Sequence, residues 1–256
     1  MAVKKAKIFT ITSVKGGTGK TTTALNLAGI LSKKKKVLLI DLDLYGSAIA
    51  AALNIDDTNN IYRLTTDISN NVFDYIENYV TSYHNYFDVL SAPKDPRMAS
   101  KINSKYLNII LTRASTKYDV ILIDTNHVID EINLTAMDLS DKIIYVITSD
   151  PIELKNMKTM MSIFKDMEKN NSIIILNKSI NRLKRYVTDY DISNIIKKNI
   201  DYIIPSSFYI KNIDKYTLDG QILTLNKNIL MTYKNSIDKF NLIANNLLKE
   251  KGELND

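Results

Sequence analysis

Cysteine and tryptophan are absent from this 256-residue chain, and histidine occurs only twice, at His84 and His127. Without cysteine, disulfides and thiolate metal sites are excluded. The two histidines lie far apart in sequence and lack the close ligand spacing of a zinc site. We therefore expect no histidine-based metal centre.

Long apolar runs are missing too. No stretch approaches the roughly 18 consecutive apolar residues that a membrane-spanning helix needs. The first seven residues are basic, but the segment from Ile8 predicts a short strand rather than the apolar core of a signal peptide. We therefore expect a cytoplasmic protein with no integral membrane segment.

The chain has few arginines for its charge. The formal net charge is +6, yet only five of the 34 basic residues are arginine. Such a charge is compatible with non-specific nucleic-acid binding, and equally with a compositional bias toward lysine, asparagine and isoleucine. Net charge alone does not decide between these interpretations.

Short apolar runs alternate with helical patterns along the chain. Val37–Asp41 and Asp119–Asp124 are continuous apolar segments that end in aspartate, typical of strands buried on both faces. Strands that alternate with helices predict right-handed crossovers. The fold class is therefore α/β, a three-layer doubly wound, mostly parallel sheet with helices on both faces. No linker or repeat interrupts it, so we expect one domain over residues 1–256.

Four helical predictions can be checked directly. The pattern predicts helices over Asp95–Ser115 and Lys227–Lys249 and a helical stretch near Val72–Tyr79. Leu154–Met167 carries methionines at helical spacing, which we expect to pack in the core rather than face a cofactor. The apolar stripe of the terminal helix likewise predicts docking on the core rather than membrane anchoring.

The strongest functional signal is a glycine-rich loop between the first strand and the first helix. Its residues are Lys15-Gly16-Gly17-Thr18-Gly19-Lys20-Thr21-Thr22. Glycines let successive N–H groups approach phosphate oxygens, and the positive end of the following helix adds to the attraction. Lys20 can reach the β- and γ-phosphates, and the Thr21 hydroxyl can join the shell of Mg²⁺. The loop from Gly16 to Thr22 therefore predicts binding of ATP and Mg²⁺.

Carboxylates follow two of the predicted buried strands. Asp41 and Asp43 lie two residues apart at the end of one strand, and Asp124 ends the other. Beside a phosphate loop, such carboxylates suit water-mediated Mg²⁺ binding and the positioning of an attacking water. The alternative is that they cap helices or face solvent.

The start of the loop departs from the usual pattern. Val14 stands where a phosphate loop normally has glycine, and a second lysine, Lys15, follows it. This is the deviant Walker A motif, and through it the sequence resembles the ParA/MinD family of dimerising ATPases. The resemblance implies a P-loop NTPase fold and a nucleotide-dependent homodimer with slow turnover. It also implies that Lys15 crosses the dimer interface to contact the partner's nucleotide, as an arginine finger does.

The same resemblance assigns further roles. Lys15, Lys20 and Asp43 would be catalytic, with Asp43 orienting the attacking water. Thr21, Asp41 and Asp124 would hold or support the metal. For the nucleotide base, Asn177 would contact the adenine edge. Pro205 would belong to a loop over that base.

One segment differs from the family. Its members usually continue Asp-Thr-Pro-Pro after the strand that ends in the metal-binding aspartate, whereas here Asn126 and His127 replace both prolines. The change predicts a floppier or differently gated switch. We interpret His127 as a surface replacement rather than a catalytic base, because phosphoryl transfer depends on positioning and charge stabilisation.

Three functions remain open. The pattern looks most like the CpaE/TadZ branch, which positions pilus and secretion assemblies, on four segments: Asp41–Leu44, Ser91–Pro93, Asp130–Leu139 and Ser149–Pro151. The second is a plasmid or chromosome partition ATPase that binds DNA non-specifically. Its basic patch would be Arg182, Lys184, Arg185, Lys197 and Lys198. The third is a pseudo-ATPase scaffold. A partner protein that stimulates hydrolysis or supplies cargo is expected for the first two.

Overall fold

The computed structural model describes residues 5–166, 171–180, 187–208, 210 and 213–249. Within these ranges the chain forms one eight-stranded sheet in the order β3-β4-β2-β5-β1-β6-β7-β8. The strands are β1 Lys7–Thr12, β2 Val37–Leu42, β3 Thr81–His84, β4 Phe87–Leu90, β5 Val120–Thr125, β6 Lys142–Ile147, β7 Ser172–Asn177 and β8 Tyr202–Ile204.

All neighbouring strands pair in parallel except β3, which runs antiparallel to β4 at one edge. The predicted doubly wound, mostly parallel sheet is therefore confirmed. The helices are α1 Lys20–Leu31, α2 Ala48–Leu53, α3 Ile61–Ser69, α4 Leu107–Ala114, α5 Glu131–Asp138, α6 Pro151–Asp166, α7 Asp189–Ile196, α8 Ile213–Leu218, α9 Lys227–Thr232 and α10 Lys234–Leu248.

The core lies in two layers, one on each face of the sheet. Side chains alternate along a strand, so Leu39 of β2 packs with Leu27 of α1 and Phe240 of α10. Its neighbour Leu38 packs on the other face, with Ile110 of α4. Helices therefore cover both faces, as the sequence predicts.

Two of the helix predictions agree with the structure. Met157 and Phe164 of α6 are buried against the sheet, while Met167 lies outside the described residues. The apolar stripe of α10, including Ile237 and Phe240, is buried in the core. The predicted docking of this helix on the core is what the structure shows. No helix in the described ranges is long and apolar enough to cross a membrane.

Only the second half of the predicted helix Asp95–Ser115 is an α-helix, α4 Leu107–Ala114. Two 3-10 turns, Pro96–Lys101 and Ser104–Tyr106, precede α4. The Asp95 and Asn103 side chains each accept a hydrogen bond from the backbone two residues ahead, and so each starts a new turn.

The predicted bounds of two helical segments, one of them the terminal helix whose docking agrees, were also inaccurate. The terminal helix Lys227–Lys249 is broken at Tyr233, where φ is −115° and ψ is 32°. The stretch near Val72–Tyr79 is helical only as a 3-10 turn at Ile76–Tyr79. Helix α3 was not predicted. The Asn60 side chain caps this helix by accepting hydrogen bonds from the N–H groups of Tyr62 and Arg63.

Candidate nucleotide-binding site

The predicted site residues meet at the carboxyl edge of the sheet. The phosphate loop connects β1 to α1, and β1 lies between β5 and β6 in the middle of the sheet. A cavity of about 620 Å³ opens beside the loop. It is lined by Gly16, Gly17, Gly19, Lys20, Thr21, Thr22, Asp43, Tyr45, Asn126, His127, Val128, Asn177, Ser179, Ile180, Phe208, Ile210 and Ile213.

Two glycines of the loop have a backbone conformation that side chains disfavour. Gly17 has φ of 76° and Gly19 has φ of 92°, both in the left-handed region. At Gly19 space is limiting too, since a Cβ would lie 2.5 Å from Asn177 Nδ2. The Asn177 amide reaches this point because its Nδ2 donates to the Thr18 carbonyl at 2.9 Å. β7 thus holds the phosphate loop in place.

Lys20 is buried beneath the loop. Its Nζ donates to Ser13 Oγ at 3.0 Å, and Ser13 Oγ donates to the Lys15 carbonyl at 2.6 Å. Burial lowers the pKa of Lys20, and the nearby carboxylates of Asp124 and Asp43 oppose that shift. An anion bound in the loop would add favourable charge around this lysine.

Thr21 and Asp124 come together as predicted for a metal site. Thr21 Oγ1 donates to Asp124 Oδ2 at 2.6 Å. The other oxygen, Asp124 Oδ1, is buried without a hydrogen-bond partner, and burial raises the pKa of Asp124 to about 7. A carboxylate left so short of partners fits a site that a hydrated cation completes.

Protein groups alone do not enclose a cation here. In the described part of the chain, no three His, Asp or Glu side chains cluster as metal ligands. Mg²⁺ commonly takes one or two protein ligands and completes its octahedron with phosphate oxygens and water. Thr21 and Asp124 fit that role.

Asp41 is fully buried beside Asp124, and backbone donors occupy its oxygens. It pairs in register with Asp124 across β2 and β5, yet its two oxygens accept N–H bonds from Asp43 and Ile49, at 3.0 and 3.2 Å. Burial raises its pKa well above the usual range, and the Asp124 charge adds to the shift. The contacts of Asp41 hold the loop after β2, which carries Asp43 into the cavity. Its support of a metal stays a prediction.

The loop after β5 is held by side-chain hydrogen bonds where the family has prolines. Asn126 Oδ1 accepts from Val128 N–H at 2.8 Å and from Asn133 Nδ2 at 2.9 Å. Asn133 is fully buried on α5 and also donates to the Val128 carbonyl. The two asparagines therefore tie the loop after β5 to α5. His127 follows Asn126 and is exposed at the cavity.

Lys15 lies at the edge of the site and is paired within its own chain. Its Nζ is 2.8 Å from Asp150 Oδ2, beyond the end of β6. This contact lowers the pKa of Asp150. Contact of Lys15 with a partner's nucleotide stays a prediction.

The structure places the two residues predicted to contact the base differently, and their contact with a base stays a prediction. Asn177 lines the cavity, but its Nδ2 bonds Thr18 and its Oδ1 accepts from Ser179 N–H and Oγ. Pro205 does not line the cavity. An apolar wall does so instead, formed by Ile180, Phe208, Ile210 and Ile213. Sequence reasoning missed these residues, of which only Ile180 lies within three positions of a strand end.

The predicted basic patch is only partly described. Arg182, Lys184 and Arg185 lie outside the described residues. Lys197 is exposed, whereas Lys198 donates to the carbonyl and hydroxyl of Ser172. Lys198 is therefore engaged with the start of β7, and Lys197 is the exposed member of this pair.

Comparison with known proteins matches residues 6–181 to a family model described as an AAA domain, AAA_31. An uncharacterized protein of Pseudomonas putida KT2440 is 34% identical over 146 residues, which are 54% of this chain and 55% of that protein. The chain thus spans about half the length of this curated relative.

Two solved structures extend the likeness to nearly the whole chain. The septum site-determining protein MinD of Pyrococcus horikoshii OT3, complexed with Mg-ADP, superposes with a TM-score of 0.76 at 24% identity, covering 95% of this chain and 96% of that one. A putative plasmid partition protein of Borrelia burgdorferi B31, bound to AMPPNP, gives a TM-score of 0.71 at 26% identity. That match covers 93% of this chain and 99% of that one.

Proposed function

The chain belongs to the AAA_31 family of ParA/MinD-type ATPases, and we propose that it is an ATP-driven switch. In this proposal it dimerises with ATP and Mg²⁺ bound, hydrolyses the ATP slowly and then separates. It acts in the cytoplasm as a single domain. The observation that carries the proposal is the convergence of the phosphate loop, Lys20, Thr21, Asp43 and Asp124 on one cavity edge.

Each residue has a role that its position supports. The N–H groups of the loop and the buried Lys20 ammonium would bind and orient the phosphates. Thr21 and Asp124 would hold Mg²⁺, which when bound neutralises phosphate charge. Asp43 is half-buried at the cavity and would position the attacking water. The base would lie against the apolar wall of Ile180, Phe208, Ile210 and Ile213.

The surface around the cavity supports a second copy of the chain as partner. Large apolar side chains are exposed after the ends of four strands, at Tyr45, Val128, Ile152 and Ile180. Exposed apolar groups grouped on one face are typical of interaction surfaces. Lys15 lies on this same edge of the sheet, after β1. In the proposed dimer it leaves Asp150 and reaches the nucleotide of the partner.

Hydrolysis is tested by phosphate release with Mg²⁺-ATP. We expect slow turnover that falls about 100-fold or more in Asp43→Asn, because a positioned base contributes about 10² to 10⁴. Equal nucleotide binding by both proteins shows that the loss is chemical. The competing pseudo-ATPase function predicts binding without turnover in the wild-type chain, and turnover that depends on Asp43 rules it out.

The proposal extends to the kind of cargo that the protein positions. The segments shared with the CpaE/TadZ branch favour positioning of a pilus or secretion apparatus, with a partner protein that stimulates hydrolysis. Similarity over 93% of the chain to a putative plasmid partition protein favours the alternative, non-specific DNA binding.

Titration with random duplex DNA separates these two cargoes. The partition function requires binding that depends on ATP and weakens steeply with salt, since each neutralised phosphate releases counterions. If the chain with Mg²⁺-ATP does not bind at low ionic strength, the partition alternative is excluded.

A further inference from the structure

The loop after β5 brings an imidazole to the phosphate loop. A Cβ placed on Gly16 would lie 3.8 Å from His127 Nδ1 and 3.9 Å from His127 Cε1. The ring edge that carries Nδ1 therefore faces the first glycine of the loop. His127 is exposed, and among the described residues neither of its ring nitrogens has a hydrogen-bond partner. As far as the described part of the chain goes, both nitrogens face the cavity side unoccupied.

The backbone that carries this ring is fixed. Asn126 Oδ1 is anchored by Asn133 Nδ2 at 2.9 Å, and Asn133 is fully buried. On the other side, Thr125 Oγ1 donates to the Ile11 carbonyl of β1 at 3.0 Å. The turn that carries His127 is therefore hydrogen-bonded both to α5 and to β1, the strand that precedes the phosphate loop.

The order of the strands decides which part of a nucleotide the ring would meet. The apolar wall follows β7 and β8, on one side of β1. Asp43, directly after β2, and Asp124, on β5, lie on the other side. A base against the apolar wall and phosphates along the loop would place the terminal phosphate near these carboxylates. His127 is on that side.

We infer that His127 is a phosphate-contacting residue that recognises the terminal phosphate of the bound nucleoside triphosphate. The inference rests on the proposed nucleotide site and concerns a residue that has no counterpart in the Asp-Thr-Pro-Pro pattern. An imidazole N–H can donate to a phosphate oxygen in the neutral ring, and both nitrogens donate in the imidazolium. Through Asn126 and Asn133, this contact would also link the terminal phosphate to α5.

The test is isothermal titration with Mg²⁺-AMPPNP and with Mg²⁺-ADP. His127→Gln should weaken AMPPNP binding about 10- to 100-fold, the range for a hydrogen bond to a charged group, and ADP binding less than about threefold. His84→Gln removes the only other histidine, on β3, and should change neither. Equal losses for both nucleotides, or no loss, would overturn the inference.

Two controls separate the possible failures. If the wild-type chain binds neither nucleotide, the proposed nucleotide site itself is wrong. If it binds both and His127→Gln binds equally well, only the role of His127 is wrong. Repeating the titration in Lys15→Gln removes any contribution from dimerisation, and an effect of His127→Gln that vanishes there would also overturn the direct contact.

Discussion

The Lys15 ammonium lies 2.8 Å from the Asp150 carboxylate of its own chain, beyond the end of β6. Both side chains are partly exposed, at 44% and 34%. In the proposed dimer the same ammonium contacts the nucleotide of the partner, so this ion pair must open first. Asp150 therefore competes with the dimer for Lys15.

Asp150→Asn should favour the dimer. Asp150 Oδ1 accepts from Ile152 and Glu153 N–H at the start of α6, and asparagine can keep that cap. A partly exposed ion pair contributes at most about 1 kcal/mol, so dimerisation with AMPPNP should tighten by up to about fivefold. Sedimentation velocity over a concentration series measures the change. Weaker dimerisation of this variant would show that Asp150 helps rather than competes.

Gly19→Ala and Gly17→Ala form a matched pair for the loop. Both place a side chain at positive φ, at a cost of about 1 kcal/mol or more. Only at Gly19 does the new Cβ meet a neighbour, Asn177 Nδ2, whose movement breaks the bond to Thr18. We expect Gly19→Ala to lower the free energy of unfolding by about 3 kcal/mol and Gly17→Ala by about 1 kcal/mol. Urea unfolding measures both, and equal losses would contradict the packing at Gly19.

Asp124→Asn should stabilise the nucleotide-free chain at neutral pH. Burial raises the pKa of Asp124 to about 7, so the folded state holds a proton that the unfolded state releases near pH 4. Its contribution to stability is complete below pH 4 and is lost as pH rises to about 7. At pH 8 the variant should gain on the order of 2 to 4 kcal/mol over wild type, and little at pH 4.

Thermal and urea unfolding at the two pH values check this prediction. Asparagine retains an oxygen that can accept from Thr21 Oγ1, so the local hydrogen bond is preserved. A variant less stable than wild type at pH 8 would show that the Asp124 charge is compensated in the folded chain. The same variant should lose Mg²⁺-dependent nucleotide binding.

Truncation of the apolar wall should weaken nucleotide binding to the same extent with and without a terminal phosphate. Ile180→Ala and Ile213→Ala together should weaken AMPPNP and ADP binding equally, by about tenfold, because each loses apolar contact with the base. Ile163→Ala on α6 is a matched control, since Ile163 is also partly exposed and lies outside the cavity. Titration calorimetry measures nucleotide binding by the double variant, the control variant and the wild-type chain. A loss confined to AMPPNP would place the wall at the wrong end of the nucleotide.

The parts of the site that could be predicted are those encoded in short segments. The glycine-lysine loop and Asp43 follow buried strands and Asp124 lies near the end of one, and parallel strands bring their carboxyl ends to one edge. Phe208 and Ile210 could not be placed this way, because their arrival at the cavity depends on how the chain packs after β8. The bonds of Asn126 to Asn133 join two elements, and no local pattern shows them.

The errors in the fold have similar causes. The apolar stripe of the terminal helix is continuous in sequence, and the break at Tyr233 does not interrupt it. In Asp95–Ser115 the hydrogen bonds of the Asp95 and Asn103 side chains start separate 3-10 turns before α4, and helical spacing alone does not show them. Helix α3 is short, and its burial depends on contacts with distant parts of the chain.

The central claim is that nucleotide state controls dimerisation through Lys15. Sedimentation velocity of the chain with Mg²⁺-AMPPNP, with Mg²⁺-ADP and without nucleotide tests it most directly, with Lys15→Gln run in parallel. We predict a dimer only for the wild-type chain with AMPPNP, and a monomer in every other sample. One mass in all samples, unchanged by nucleotide and by Lys15→Gln, would contradict the switch.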